Sequence, residues 1–292
     1  MLNRRDFLIG CGGTFAASML NGCRSPFGGR AESKYAVQLY SIHKIFWTKP
    51  AWCLAQLRAA GYDGVEFAGY GGRAAKEIRT LLADSGMLGM GTHVNGFVDL
   101  KGEGLRKTLD FCAEAGIGSV TTPHALCKTE AEYGRFGCEM SAAAETAKSY
   151  GIKVGIHTTY DHFRVKFGGV TAWETIFRDA SPLLQQQIDT GNVFHVIGCG
   201  LIPLLHKYRG RHYSVHLKEN DPTPTATLGE RPTDGGESVP WTEVLACLAD
   251  DDVAWRVIEA EAIPDSLKPL SDSLRFIKTL ESTRFLTEKG EF

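Results

Sequence analysis

Polar side chains that could bind a metal ion or move a proton recur at the ends of short apolar segments. They are Gln38 and Tyr40, Glu66, His93, His124, His157, Asp189, His216 with Lys218, and Glu259 with Glu261. Taken singly, each of these residues can be explained without a function. Asp189, for example, lies in Ile-Asp-Thr-Gly-Asn (188–192), and Asp-x-Gly is common in turns and helix caps. Four histidines and four carboxylates at equivalent positions nevertheless indicate a functional cluster, because burying unpaired ionisable groups is costly.

The segments that carry these residues alternate with stretches of helical periodicity. The predicted strands are Tyr35–Tyr40, Gly64–Ala68, Leu88–Val94, Ser119–Thr122, Lys153–Thr158, Leu184–Asp189, His212–Leu217 and Ala254–Glu259. The predicted helices are Trp52–Ala60, Ala74–Ser85, Leu105–Ala115, Glu130–Tyr150, Thr171–Arg178, Ile197–Tyr208, Trp241–Ala249 and Leu267–Thr283. Eight strand–helix pairs over about 250 residues predict an α/β fold, the (β/α)₈ TIM barrel. An open doubly wound sheet is the alternative, but no G-x-G-x-x-G follows the first strand.

In such a barrel the C-terminal ends of the strands face a single site. His157, Asp189, His216 and Glu259 come from the last four strands, which are neighbours around a barrel. Two imidazoles and two carboxylates suit one divalent cation such as Mn²⁺, Zn²⁺, Co²⁺ or Fe²⁺. An all-thiolate zinc site is not expected, because the sequence has no C-x-x-C pair. The Pro/Thr/Gly-rich segment 221–240 follows the seventh strand and is interpreted as a lid or substrate loop.

Several motifs together resemble one known family. VQLYSI, GVEFAG, GTHV, IDTGN, HYSVHLKEN and VIEAE are similar to the xylose isomerase-like TIM barrels, over residues 35–282. Within them the chain resembles the sugar phosphate isomerase/epimerase group, which includes hydroxypyruvate isomerase, inosose dehydratase and ketose 3-epimerases. The resemblance implies an enzyme with one divalent metal on His157, Asp189, His216 and Glu259. The metal would polarise a sugar carbonyl while a side chain moves a proton at the adjacent carbon.

The hypothesis of a metal-dependent sugar enzyme assigns individual roles. Glu259 would be the metal-bridging carboxylate, His162, Glu66 and His93 are candidate acid/base groups, and Lys218 would stabilise an enediolate oxygen. The predicted substrate-binding residues are Gln38, His93, His124, Trp241 and Glu261. Strand five departs from the family, where glutamate is a frequent ligand: it reads His157-Thr-Thr-Tyr-Asp-His-Phe163. This change favours a lyase, or an isomerase that uses histidine, over a two-carboxylate epimerase.

The N-terminal segment resembles an export signal. Arg4 and Arg5 precede a mildly apolar run, as in a twin-arginine signal, and Leu20-Asn-Gly-Cys23 resembles a lipobox. We therefore expect a signal at 1–23, a tether at 24–34, the barrel at 35–283 and a C-terminal tail at 284–292. The protein would be periplasmic or anchored to the membrane through a lipid on Cys23. The six remaining cysteines are expected to be buried free thiols, since a twin-arginine substrate folds in a reducing compartment.

The prediction is therefore an exported, metal-dependent sugar isomerase, epimerase or related lyase. Export favours a free or oxidised sugar, or a glycoside, over a sugar phosphate, and an oligomer is possible. The alternative is a non-catalytic carbohydrate-binding lipoprotein that retains the barrel, although a binder has no need of the metal-ligand set. A DNA-repair endonuclease of the same fold is disfavoured, and no nucleic acid is expected as a partner, because the net charge of −2 offers no basic groove.

Overall fold

The computed structural model describes residues 33–123, 125, 127–220, 227–230, 235–260 and 266–288. Most of the predicted signal and tether therefore lies outside the described residues. Backbone alone is described for 284–288, where the last helix extends into the predicted tail. Among the described residues, no helix combines the length and apolarity that a membrane crossing requires.

Eight parallel strands close into a barrel, which confirms the predicted fold. The strands are Lys34–Gln38, Gly64–Ala68, Leu88–His93, Ser119–Thr122, Lys153–His157, Leu184–Asp189, Ser214–Leu217 and Trp255–Ile258. The first strand pairs with both the second and the eighth, so that no edge is left open. Closure satisfies the backbone of every strand on both sides and directs all eight C-terminal ends to one face.

Helices surround the barrel. Their bounds are His43–Phe46, Pro50–Ala60, Ala75–Ser85, Gly102–Ala115, Glu130–Ala147, Asp161–Arg164, Ala172–Phe177, Thr190–Ile197, Leu201–Lys207, Trp241–Asp250 and Lys268–Glu288. In the described part of the chain, 3₁₀ turns lie at Leu39–Ile42, Lys148–Tyr150 and Gly198–Gly200, and a small hairpin pairs Lys166–Phe167 with Val170–Thr171. The glycines expected to end helices, Gly61, Gly86, Gly116 and Gly151, all adopt positive φ, from 65° to 99°. That conformation is the left-handed cap that glycine adopts without a side-chain clash.

The connection after the sixth strand differs from the prediction. A single helical return at Ile197–Tyr208 is wrong, because the helix begins at Thr190, directly after the strand. It is interrupted at Gly198, whose φ is 55°, and a second helix follows from Leu201. The strand therefore runs into the helix without an intervening turn, and Asp189 occupies the junction.

The interior of the barrel is layered. At the N-terminal end, Ala36, Met90, Trp255 and Val257 form an apolar plug. Gly64 makes room for it, since a Cβ there would lie 2.9 Å from the Trp255 ring. Above the plug, the inward positions carry buried polar side chains instead of the branched apolar residues usual in such barrels. The large apolar core lies between the outer faces of the strands and the helices.

The six cysteines of the described residues are all free thiols. Cys53, Cys112 and Cys247 are buried as expected. Cys127 is only half-buried, and Cys138 and Cys199 are exposed, so the expectation of burial is wrong for these last two.

Candidate metal centre

The ends of the fifth to eighth strands bring four metal-ligand side chains together. His157, Asp189, His216 and Glu259 each offer one nitrogen or oxygen, and these atoms lie within 4.8 Å of one another. The register explains the convergence, because Asp189 and His216 are direct partners on neighbouring strands. His93, His157 and His216 form a second group with the same spacing. The structure thus assembles the four residues that the sequence pattern had selected.

The two carboxylate oxygens of Asp189 have different surroundings. Oδ1 accepts a hydrogen bond of 2.7 Å from the backbone N–H of Asn192, which makes Asp189 the N-cap of the helix Thr190–Ile197. Oδ2 is buried and has no hydrogen-bond partner. Its neighbours are His157 Nε2 at 3.8 Å and Lys218 Nζ at 3.9 Å. The capping interpretation of this aspartate is therefore confirmed for Oδ1, while Oδ2 remains available for the functional interpretation.

Several contacts hold this junction in place. The backbone N–H of Asp189 donates to Thr158 Oγ1 at 2.7 Å, and Asn192 Nδ2 donates to the Thr158 carbonyl at 3.1 Å. Gly191 packs against the seventh strand, since a Cβ there would lie 2.4 Å from the Glu219 carbonyl oxygen. Burial raises the pKa of Asp189 to about 6, Lys218 opposes this effect and Glu259 adds to it. The carboxylate is thus rigidly held in a place where its charge lacks full compensation.

His216 lies between two carboxylates. Its Nδ1 is 2.6 Å from Glu259 Oε2 and its Nε2 is 2.6 Å from Glu66 Oε2. Burial alone would lower the pKa of His216, but Glu66 and Glu259 outweigh it and raise the pKa to about 10. Burial likewise opposes ionisation of Glu259, yet the hydrogen bond from His216 and the charge of Lys218 hold its pKa below the usual range.

His157 is oriented by a residue that sequence reasoning missed. Its Nδ1 lies 3.0 Å from Gln187 Oε1, while Nε2 faces Asp189. Burial lowers the pKa of His157 well below its usual value, and the nearby His216 and His93 act in the same direction. Gln187 is the direct strand partner of His157 and is 2% exposed. A signal was present, because Gln187 precedes Asp189 by two residues and so shares its face of the strand.

Glu66 lies one layer below the cluster and is fully buried. It accepts hydrogen bonds of 2.7 Å from Gln38 Nε2 and Gln187 Nε2, in addition to its contact with His216. His93 Nε2 is 3.3 Å away. Burial would raise the pKa of Glu66, but His93 and His216 lower it to about 2. The predicted sites Gln38, Glu66 and His93 thus support the cluster from the first three strands.

The remaining predicted residues occupy different places. Lys218 lies beside the cluster, with Nζ 3.5 Å from Asn192 Oδ1. His162 lies in the short helix Asp161–Arg164, where its Nδ1 accepts from the Thr159 N–H at 3.0 Å and its ring packs on Trp173. His124 and Glu261 lie outside the described residues.

Trp241 is not brought to the cluster. Its side chain is buried, and its indole N–H donates to Glu219 Oε2 at 2.8 Å. The Glu219 carboxylate also accepts the backbone N–H groups of Asn220, Gly229 and Val239. Glu219, another residue missed from the sequence, therefore anchors both described ends of the segment after the seventh strand.

The cluster fits a divalent cation on three grounds. The donor set of two imidazoles and two carboxylates is one that Mn²⁺, Zn²⁺, Co²⁺ and Fe²⁺ accept. The ligand atoms already converge within 4.8 Å. A buried carboxylate oxygen that makes no hydrogen bond, such as Asp189 Oδ2, requires an explanation, and a bound cation would supply one.

Comparison with known proteins agrees with this architecture. The chain is similar to a sugar phosphate isomerase/epimerase from Parabacteroides distasonis, with 16% identity and a TM-score of 0.70 over 84% of this chain and 96% of that chain. An L-ribulose 3-epimerase has 14% identity and a TM-score of 0.69, over 89% of this chain and 99% of that chain. A 3-keto-D-glucoside 4-epimerase from E. coli has 15% identity and a TM-score of 0.60, over 85% of this chain and 100% of that chain. At these identities the likeness shows a shared fold.

No curated protein matches the sequence. The family model described as Xylose isomerase-like TIM barrel matches residues 54–280, which include all but the first of the barrel strands. The chain belongs to the xylose isomerase-like TIM barrel family.

Proposed function

We propose that the protein is a divalent-metal-dependent enzyme that acts on a sugar, moving a proton at the carbon next to a carbonyl group. The observation that carries this proposal is the buried Asp189 Oδ2, which has no hydrogen-bond partner among His157, His216 and Glu259. A barrel that only bound carbohydrate would gain nothing from a buried carboxylate oxygen that makes no hydrogen bond, because such an atom costs free energy. The sugar isomerases and epimerases among the similar structures support the same kind of chemistry.

Each side chain of the cluster has a task in this proposal. His157, Asp189, His216 and Glu259 would hold the cation, which when bound would polarise the substrate carbonyl. Glu259 is the carboxylate with the most accessible surface, 9% exposed against 0% for Asp189 and Glu66, so it is our candidate for the proton-transfer group. Lys218, at the edge of the cluster, would stabilise negative charge on a substrate oxygen.

The arrangement favours proton transfer on one face of the substrate. Epimerisation by two bases needs groups on opposite faces of the carbon. Among the described residues, however, Asp189 uses one oxygen as a helix cap, and both oxygens of Glu66 accept hydrogen bonds. His157 occupies the strand-five position where family members often have a glutamate. We therefore favour an aldose–ketose isomerisation or an elimination, with a free or oxidised sugar or a glycoside as substrate.

The test is turnover in D₂O by metal-loaded protein on a panel of ketoses, aldoses, 3-keto-glycosides and inososes. We expect isomerisation or elimination that is lost on chelation, and an activity reduced by about 10²–10⁴-fold in Glu259→Gln. Glu243→Gln, on the exposed face of the helix Trp241–Asp250, is the matched control and should retain activity. A 3-epimer labelled with deuterium would contradict the one-face reaction, and full activity of Glu259→Gln would contradict its role.

We also propose that the N-terminal segment exports the protein and that Cys23 carries a lipid. The support is the order of Arg4, Arg5 and the Leu20–Cys23 stretch in the sequence. Replacing Arg4 and Arg5 together by lysine should retain the protein in the cytoplasm of its host. Cys23→Ser should release exported protein from the membrane fraction. Unchanged fractionation of both variants would contradict the proposal.

A further inference from the structure

Gln187 connects two imidazoles to a carboxylate inside the barrel. Its Oε1 is 2.7 Å from His93 Nε2 and 3.0 Å from His157 Nδ1. Its Nε2 donates to Glu66 Oε1 at 2.7 Å and to Ser214 Oγ at 2.8 Å. An amide has two donor hydrogens and two acceptor lone pairs, so these four contacts satisfy the side chain completely.

The direction of each hydrogen bond in this network follows from Glu66. An ionised carboxylate only accepts, so the amino group of Gln187 must face Glu66 and its carbonyl oxygen must face the imidazoles. A carbonyl oxygen also only accepts, so His157 must carry its proton on Nδ1. The lone pair of His157 is then on Nε2, the nitrogen that lies 3.8 Å from Asp189 Oδ2.

The same carboxylate directs His216. Glu66 Oε2 lies 2.6 Å from His216 Nε2 and therefore accepts its proton. The other nitrogen, Nδ1, is left on the side of Glu259. Gln38 Nε2 donates to the same Glu66 oxygen at 2.7 Å and keeps it in place. Glu66 thus directs the second nitrogen of each imidazole toward the carboxylates of the cluster, and His216 Nδ1, which donates to Glu259 in the metal-free protein, would lose its proton to bind a cation.

We propose that Glu66 and Gln187 are positioning residues: they select the imidazole tautomer of His157 and the orientation of His216 in which both can bind a cation. This inference rests on the proposed metal function. It replaces the expectation that Glu66 exchanges a proton with substrate, because both Glu66 oxygens are used below the cluster. Partners of this kind raise metal affinity by orienting the ligands, and their loss typically weakens binding by about 10–100-fold.

The neighbouring residue offers a matched control. Gln186 is on the same strand, is 0% exposed, and points to the opposite face, where it accepts from Trp173 Nε1 at 3.3 Å. Gln187→Met and Gln186→Met remove the same group from equally buried positions. We expect Gln187→Met to weaken Co²⁺ binding about 10–100-fold and to alter the d–d absorption of bound Co²⁺. Gln186→Met should leave both unchanged, although each variant loses stability.

A measurement on the metal-free wild-type protein needs no variant. Imidazole ¹⁵N shifts report which nitrogen carries the proton, and we expect His157 to be protonated on Nδ1. In Gln187→Met this preference should be lost. A wild-type His157 protonated on Nε2, or unchanged Co²⁺ affinity in Gln187→Met, would overturn the proposal. If the expected tautomer is found in a wild-type protein that binds no cation, the proposed metal function fails while the assignment of the network stands.

Discussion

The two oxygens of Asp189 can be tested separately by two substitutions. Asn keeps an oxygen that can accept from the Asn192 N–H, but it replaces the other oxygen by an amino group. Ala removes both. Both variants are uncharged, so each removes the cost of burying a charged carboxylate here. The difference between the two metal-free variants therefore measures the cap, and their common loss of metal-induced stabilisation measures the cation site.

The expected magnitudes are distinct. Asn is as good an N-cap as Asp, whereas Ala costs about 1 kcal/mol, which lowers the Tm by roughly 2–4 °C in a domain of this size. A cation at a hundred times its Kd stabilises the wild type by about 2.7 kcal/mol, or roughly 5–11 °C. Neither variant should show that increase, because both lack Oδ2.

Thermal unfolding of chelator-treated protein, with and without added Zn²⁺ or Mn²⁺, provides the assay, and titration calorimetry gives Kd. Asp84→Asn, on an exposed helix surface, is the control and should respond to metal as the wild type does. A metal-induced increase in the Tm of Asp189→Asn equal to that of wild type would refute the ligand role of Oδ2. Equal metal-free Tm values for the Asn and Ala variants would refute the capping role of Oδ1.

Two further predictions concern stability. Gly191→Ala should destabilise the fold by about 1–3 kcal/mol, because the added Cβ would lie 2.4 Å from the Glu219 carbonyl oxygen. Gly134→Ala, at a helix position with no neighbouring atom in reach, should stabilise the fold by up to about 1 kcal/mol. Denaturant titration measures both free energies of unfolding, and equal effects would contradict the packing argument. Burial lowers the pKa of His212 below 6.5, against an opposing effect of Asp251, so below pH 6.5 the unfolded chain binds a proton that the folded chain does not. The free energy of unfolding should therefore decrease as the pH is lowered below 6.5, by at most about 1.4 kcal/mol per pH unit from this group. In His212→Gln the Tm should depend less on pH than in the wild type. Parallel curves of Tm against pH for the two proteins would contradict the prediction.

The fold could be predicted because local signals agree along the whole chain. The strands Gly64–Ala68 and Leu184–Asp189 have the bounds that their apolar pattern gives. The grouping of the four candidate metal ligands followed from strand order, since parallel strands present their C-terminal ends together. The helix after Asp189 was placed too late because an aspartate before Thr-Gly-Asn indicates a turn and a helix cap equally well.

Contacts between distant residues could not be predicted. Glu219 and Trp241 are 22 positions apart, and the burial of the indole depends on how the intervening segment returns to the barrel. His162 follows strand five closely, yet a short helix turns its ring against Trp173. Position after a strand end thus indicates nearness to the active face, but it does not indicate which way a side chain points.

The polar layer beneath the cluster explains how the barrel tolerates buried charges there. Gly91 makes room for it, since a Cβ would lie 2.3 Å from Ser119 Oγ and 3.3 Å from Glu66 Oε1. Filling this layer with apolar side chains would be expected to stabilise the fold, because a buried ionic network is at best a weak source of stability. With Glu66 and Gln187 in this layer, above the apolar plug, the barrel is less stable than it would be with apolar side chains at the same positions. Such departures from the usual packing are expected where function requires them, and here each polar group contacts an imidazole of the cluster or a partner of one.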